Sequence, residues 1–190
     1  MRGTQVIPFY KASNAKWLMR NCVPRFFLVF IICFFFTGCT SSSLQQFTDV
    51  SASSGIHFSN QITETEDQNI FTYEYMYNGA GVAVGDVNND GLPDIFFTAN
   101  QLPDQLYLNK GNLRFDDVTK PAGVEGKPGW KTGVSMADVN GDGLLDIYVC
   151  YSGNGEPQSR SNQLFINKGV QNGIPVFKDE ASEYGLDARF

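Results

Sequence analysis

The chain has 190 residues, enough for one domain of ordinary size. Its formal charge of −6 is unevenly spread: five basic residues and no acidic one precede Cys39, which leaves nine basic against 20 acidic residues from there on. So acidic a body repels phosphate, and this argues against nucleic acid as a partner.

Residues 26–36 form an unbroken apolar run, Phe-Phe-Leu-Val-Phe-Ile-Ile-Cys-Phe-Phe-Phe, with Arg20 and Arg25 before it and small residues after it. A basic start, an apolar stretch of about 7–15 residues and a small-residue end make the layout of a secretory signal. The run is too short for a spanning helix, which needs ~20 residues. It ends in Phe36-Thr37-Gly38-Cys39, which resembles a bacterial lipobox with Phe36 where leucine is usual. The resemblance implies a lipoprotein signal over 1–38, lipid attachment at Cys39, and export to the outer membrane or cell surface of a Gram-negative bacterium. A plain signal peptide or short anchor is the alternative, and Met19-Arg20 would make a conventional signal start. Residues 39–46 read as a polar tether suited to hold a domain off a membrane. Cys22 and Cys33 fall inside the signal, so Cys150 is the thiol left to the folded part. It reads as a small buried hydrophobe, and no disulfide framework is possible.

The region 47–190 is repetitive. Phe47-Thr48-Asp49-Val50, running on to Gly55, returns as Phe115-Asp116-Asp117-Val118 with Gly123 and as Phe177-Lys178-Asp179-Glu180 with Gly185, at spacings of 68 and 62 residues. Gln105-Leu106-Tyr107-Leu108-Asn109-Lys110-Gly111 matches Gln163-Leu164-Phe165-Ile166-Asn167-Lys168-Gly169. Between the first unit and the later ones, aromatics at Phe71, Tyr73, Tyr75 and Tyr77 would share one face of an extended strand. They read as a packing stripe, with an exposed platform for sugars or a partner as the sharper alternative. His57, the single histidine, reads as a surface or satisfied group.

The most informative stretch is Asp86-Val87-Asn88-Asn89-Asp90-Gly91-Leu92-Pro93-Asp94, repeated 52 residues later as Asp138-Val139-Asn140-Gly141-Asp142-Gly143-Leu144-Leu145-Asp146. Side-chain oxygens fall at positions 1, 3, 5 and 9, and position 7 offers a carbonyl. Calcium takes six to eight oxygens at about 2.3–2.6 Å, and glycine at position 6 permits the sharp bend. The metal ligands expected are therefore Asp86, Asn88, Asp90, the Leu92 carbonyl and Asp94 for one ion, and Asp138, Asn140, Asp142, the Leu144 carbonyl and Asp146 for a second. An EF-hand is excluded, since its position 12 needs a glutamate and here carries Phe97 or Val149. The flanks are β-branched and aromatic, so each loop joins two strands.

Each repeat then reads as four strands, 81–85, 94–99, 105–109 and 114–118 in the first, and 133–137, 146–151, 163–167 and 176–179 in the second. Asn-Lys-Gly supplies the turn chemistry between the third and fourth. A four-stranded unit at this period is a propeller blade, and small residues on the first strand suit a crowded propeller centre. The fold class expected is all-β, a partial β-propeller.

These motifs resemble the FG-GAP/VCBS repeat family, the calcium-loop propellers also found in integrin alpha chains. The Leu-Tyr-Leu-Asn-Lys-Gly and Phe-x-Asp-Val units look most like the branch holding ASPIC/UnbV-type proteins and cartilage acidic protein. The resemblance covers residues 47–190 and implies about two structural calcium ions on the ligands named above. Such propellers close with about seven blades, so two blades and a starting strand at Phe47 imply an N-terminal fragment whose partners include the remaining blades. The function expected is a calcium-binding, lipid-anchored surface module that binds protein or glycan. The alternative is an accessory part of a larger glycan-active enzyme. No Ser/His/Asp or Cys/His set is evident, and Asp116, Asp117 and Glu180 read as structural.

Overall fold

The computed structural model describes residues 47–188. The expected signal over 1–38, the lipid site at Cys39 and the tether over 39–46 lie outside the described residues. The chain divides into a unit 1–48 and a unit 49–190. Of the first, only Phe47 and Thr48 are described, both exposed and without regular structure.

The second unit holds two four-stranded antiparallel sheets in simple meander order. The first consists of β1 (Val82–Gly85), β2 (Asp94–Phe97), β3 (Gln105–Asn109) and β4 (Phe115–Asp117). The second consists of β5 (Trp130–Ala137), β6 (Asp146–Ser152), β7 (Gln163–Gln171) and β8 (Ile174–Asp179). They are two blades of a partial β-propeller, as the repeat predicts. Blade 2 has the longer strands, with irregularities between Lys131 and Gly133 and between Asn167 and Val170.

Strand alternation explains how the blades stack. On β6, Ile147, Val149 and Tyr151 face one way, into a core shared with Phe96, Leu106, Leu108, Val118 and Val124 of blade 1. Tyr148 faces the other way and joins Leu164, Ile166 and Ala181 in a second cluster. Phe96 and Leu106 are fully buried, and each such side chain contributes about 1.5–3 kcal/mol relative to exposure. The innermost strands lie close together. A Cβ on Gly81, just before β1, would sit 2.7 Å from the Val134 amide nitrogen, so glycine is required there, whereas Gly133 on β5 faces open space.

The recurrent Phe-x-Asp unit has one structural meaning. Asp49, Asp117 and Asp179 each accept the amide two residues on, at 2.9, 2.9 and 3.1 Å. A single helical turn follows in the first two cases, α1 (Ser51–Ser54) and α2 (Thr119–Ala122). Gly55, Gly123 and Gly185 then close the unit with positive φ.

Two expectations are corrected. Residues 47–50 form no strand, and Phe47 is 86% exposed. An extended segment outside a sheet gains no ladder bonds. Residues 71–77 are a run of turns. The amides of Thr72, Met76 and Asn78 bond carbonyls three residues back, which scatters the aromatics: Tyr73 is buried beside Met76 and Trp130, while Phe71, Tyr75 and Tyr77 are exposed. Local turn bonding initiated by the Asn69 side chain, which accepts the Phe71 amide, outcompetes the extended form.

Candidate metal-binding loops

Each candidate loop joins the first two strands of its blade, and the ninth-position aspartate is the first residue of the following strand. The two loops share one backbone path. Position 6 is left-handed in both, Gly91 at φ 86° and Gly143 at φ 85°. Position 4 is left-handed as well, Asn89 at 58° and Gly141 at 78°. The sequence carries that signal, since asparagine and glycine are the residues that tolerate this region, yet position 4 bears no ligand and is easily passed over.

Side-chain oxygens of the loop are gathered by its own amides. Asp86 accepts the Asp90 amide at 3.1 Å and the Gly91 amide at 2.8 Å. Asp138 accepts Asp142 at 3.1 Å and Gly143 at 2.8 Å. Asn88 and Asn140 accept the amide of position 5 through Oδ1 and donate to the position-5 carboxylate through Nδ2. Asp90 and Asp142 accept the position-7 amide, both at 2.9 Å. The Leu92 and Leu144 residues are half-buried at the turn.

Position 9 behaves differently. Asp94 and Asp146 are buried. One oxygen of each accepts the position-2 amide, from Val87 or Val139, at 3.0 Å. The other accepts the amide of Asn109 or Asn167 on the third strand at 2.8 Å. These aspartates therefore staple the loop to two strands. Asn109 and Asn167, read from sequence only as turn residues, close the staple by donating to the carbonyls of Pro93 and Leu145. Their recurrence at matching places in both repeats was the available signal. The loops also touch each other: Asn167 Nδ2 donates to the Val87 carbonyl at 2.8 Å, and Asn89 Nδ2 to the Gly143 carbonyl at 3.3 Å.

Electrostatics follow from this layout. Burial pushes the Asp94 carboxyl above its ordinary value, opposed by the two amides and reinforced by the negative charges of Asp90 and Asp86. The Gly143 amide, with those of Gly141, Asp142 and Asn140, holds Asp138 below its ordinary value. Among the described residues, no three carboxylate, imidazole or thiol side chains are drawn together tightly enough to form a ready-made metal cluster. The donor set still fits a hard cation. It is all oxygen, with three carboxylates per loop, and a carboxylate oxygen that accepts one amide keeps a second lone pair. The mutual repulsion felt at Asp94 is the kind a divalent ion relieves.

The remaining candidates occupy structural places. His57 is exposed, and its amide donates to Tyr107 Oη. Cys150 is free and half-buried, and burial raises its thiol pKa. Asp117 accepts the Thr119 amide, and Glu180 pairs with Lys168 at 2.8 Å and Lys178 at 2.9 Å.

Comparison with known proteins agrees with this architecture. Residues 86–149 match the FG-GAP-like repeat. Cartilage acidic protein 1 of Xenopus tropicalis is 35% identical over 105 residues, 55% of this chain and 15% of that protein. The mouse protein of the same name is 39% identical over 69 residues, 36% of this chain and 11% of its own length. Integrin alpha-PS3 of Drosophila melanogaster is 31% identical over 122 residues, 59% of this chain and 10% of that protein. The chain thus spans a small part of the relatives it matches. With the loop at one end of each four-stranded sheet and the match running from the first loop through the second, residues 86–149 are similar to the FG-GAP-like repeat.

Proposed function

We propose that this chain is a calcium-stabilised binding module, exported and held at a bacterial surface by a lipid on Cys39, whose ligand is a protein or a glycan. One observation carries the calcium reading: the same all-oxygen loop, with the same left-handed positions 4 and 6, is built twice at the same corner of successive blades. Asp86, Asn88, Asp90, the Leu92 carbonyl and Asp94 would hold one ion, and their counterparts Asp138, Asn140, Asp142, the Leu144 carbonyl and Asp146 the other. The ion's part is structural: it would neutralise the loop carboxylates and fix the blade corner. Extracellular calcium modules bind at about 10⁻⁴–10⁻³ M, so millimolar calcium would keep them loaded. The similarity to cartilage acidic protein 1 and integrin alpha chains supports a binding role over a catalytic one.

Thermal unfolding with calcium and with chelator tests this. Calcium should raise the melting temperature, and Asp90→Ala and Asp142→Ala should each remove part of the gain. Identical melting curves with and without chelator would defeat the calcium reading. Loss of labelled fatty acid on Cys39→Ser would support the anchor. Hydrolysis of polysaccharides by the purified chain would overturn the non-enzymatic reading.

A further inference from the structure

Loop 1 (86–94) and loop 2 (138–146) are joined by a short chain of hydrogen bonds that links their ninth-position aspartates. Asp146 of loop 2 accepts the Asn167 amide at 2.8 Å. The Asn167 side chain donates at 2.8 Å to the carbonyl of Val87, the second residue of loop 1. The Val87 amide then donates to Asp94 at 3.0 Å. Asn167 Oδ1 accepts the Gly169 amide at 3.0 Å, which holds the carboxamide with Nδ2 towards loop 1. Two further contacts join the loops. Asn89 Nδ2 donates to the Gly143 carbonyl at 3.3 Å. A Cβ on Gly85, the residue before Asp86, would sit 2.7 Å from Leu145 Cδ1 of loop 2.

The repeat supplies an internal control. Asn109 holds the same place in blade 1. Its amide donates to Asp94, its side chain donates to the Pro93 carbonyl, and its Oδ1 accepts the Gly111 amide. Asn167 makes the equivalent bonds in blade 2 and, among the described residues, it alone adds one to the neighbouring loop. Burial follows the same asymmetry. Val87 is fully buried, whereas Val139 at the matching position of loop 2 is 42% exposed.

We propose that the two loops bind calcium with positive cooperativity, and that Asn167 is the positioning residue that couples them. This rests on the calcium reading above and adds how one ion influences the other. An ion held by Asp146 would fix the carboxylate that seats Asn167. Asn167 in turn holds the Val87 peptide, whose amide aims Asp94. A loop already set in its binding geometry loses less freedom on binding, and the effect is reciprocal between the sites. Repulsion between the two ions works the other way. It is weak here, because Asp90, Asp138 and Asp142 are exposed, where physiological salt screens charges beyond about 8 Å. A loop with three aspartates also stays negative after taking up one divalent ion.

The test is a calcium titration of the whole nitrogen-15-labelled chain, stripped with chelator and held at physiological salt. The amides of Gly91 and Gly143 each donate to the first aspartate of their own loop, so their signals report the two sites separately. In Asp142→Ala, which disables loop 2, loop 1 should bind calcium about fivefold more weakly, the factor for one hydrogen bond. Asp90→Ala should weaken loop 2 by the same factor. In an Asn167→Ala background, Asp142→Ala should leave loop 1 unchanged, whereas in an Asn109→Ala background the fivefold response should remain. Asn89→Gly removes the exposed contact, keeps the left-handed position and should shrink the response without Asn167 being touched. Loop 1 affinity that ignores Asp142→Ala, or rises with it, overturns the cooperativity and leaves two independent calcium sites standing. A full response that survives Asn167→Ala overturns the role of Asn167. Absence of any calcium-dependent shift at Gly91 and Gly143 overturns the calcium reading, and the proposal with it.

Discussion

The two ends of the blades are built on opposite principles. At the loop end, one nine-residue motif is used twice, and charge is gathered by backbone amides within a few residues. At the far end the contact between the blades does not repeat. There Asp104 of blade 1 and Lys131 of blade 2 form a buried ion pair at 3.5 Å, between segments that share no motif. The lesson concerns range. Local turns can organise charge from sequence neighbours alone, whereas joining one blade to the next takes groups brought together from dozens of residues apart.

The largest effect should come from the far end. Lys131 also donates to the Leu102 carbonyl at 2.8 Å, and Lys131→Ala leaves the buried Asp104 carboxyl without its counter-charge. A loss of about 3–5 kcal/mol is expected in urea unfolding. Replacing both partners with apolar residues of similar volume should recover most of it, and no recovery would mean that the pair does more than neutralise itself. The same pair sets a pH dependence. Burial pushes Asp104 from 3.8 up to about 7, against the pull of Lys131. A carboxyl raised in the folded state binds its proton more tightly there than in the unfolded chain. Its contribution is full below about 3.8 and falls as pH rises towards 7. Asp104→Asn should flatten stability across that window, and an unchanged pH profile would remove Asp104 from the account.

At the loop end, Asp94→Ala orphans the buried amides of Val87 and Asn109, each costing about 1–3 kcal/mol. Asp146→Ala should match it if the two staples are equivalent. A smaller difference separates the asparagines that close them. Asn167→Ala loses an inter-blade bond to Val87 that Asn109 has no counterpart for. It should therefore cost about 1 kcal/mol more than Asn109→Ala. Equal values would show that the loops are stabilised independently of each other.

The repeat made the blades legible. β-Branched and aromatic runs bounded by turn residues, repeated twice, placed all eight strands, and the Asp/Asn/Gly spacing located both loops between strands. Residues 71–77 were misread because alternate aromatics suit a strand, while the turn bonds that won depend on Asn69, outside the pattern. The Phe47 unit was misread because its sequence matches the later units, which lead from a strand into the Asp turn, while here only the Asp turn forms. In the loops, Asp94 and Asp146 were legible as acidic positions; their burial as staples was not, since it depends on third-strand amides 15 and 21 residues away.

By itself, then, the sequence determined what short-range geometry can encode: strand alternation, left-handed turn positions and a ring of oxygens within nine residues. Only the tertiary structure decided which oxygens are buried, how Asn167 locks the first loop from the second blade, and that Asn154 reaches the Thr72 carbonyl. Those features join segments as much as 82 residues apart. No local pattern specifies such meetings, because they are fixed by the packing of one sheet on the next.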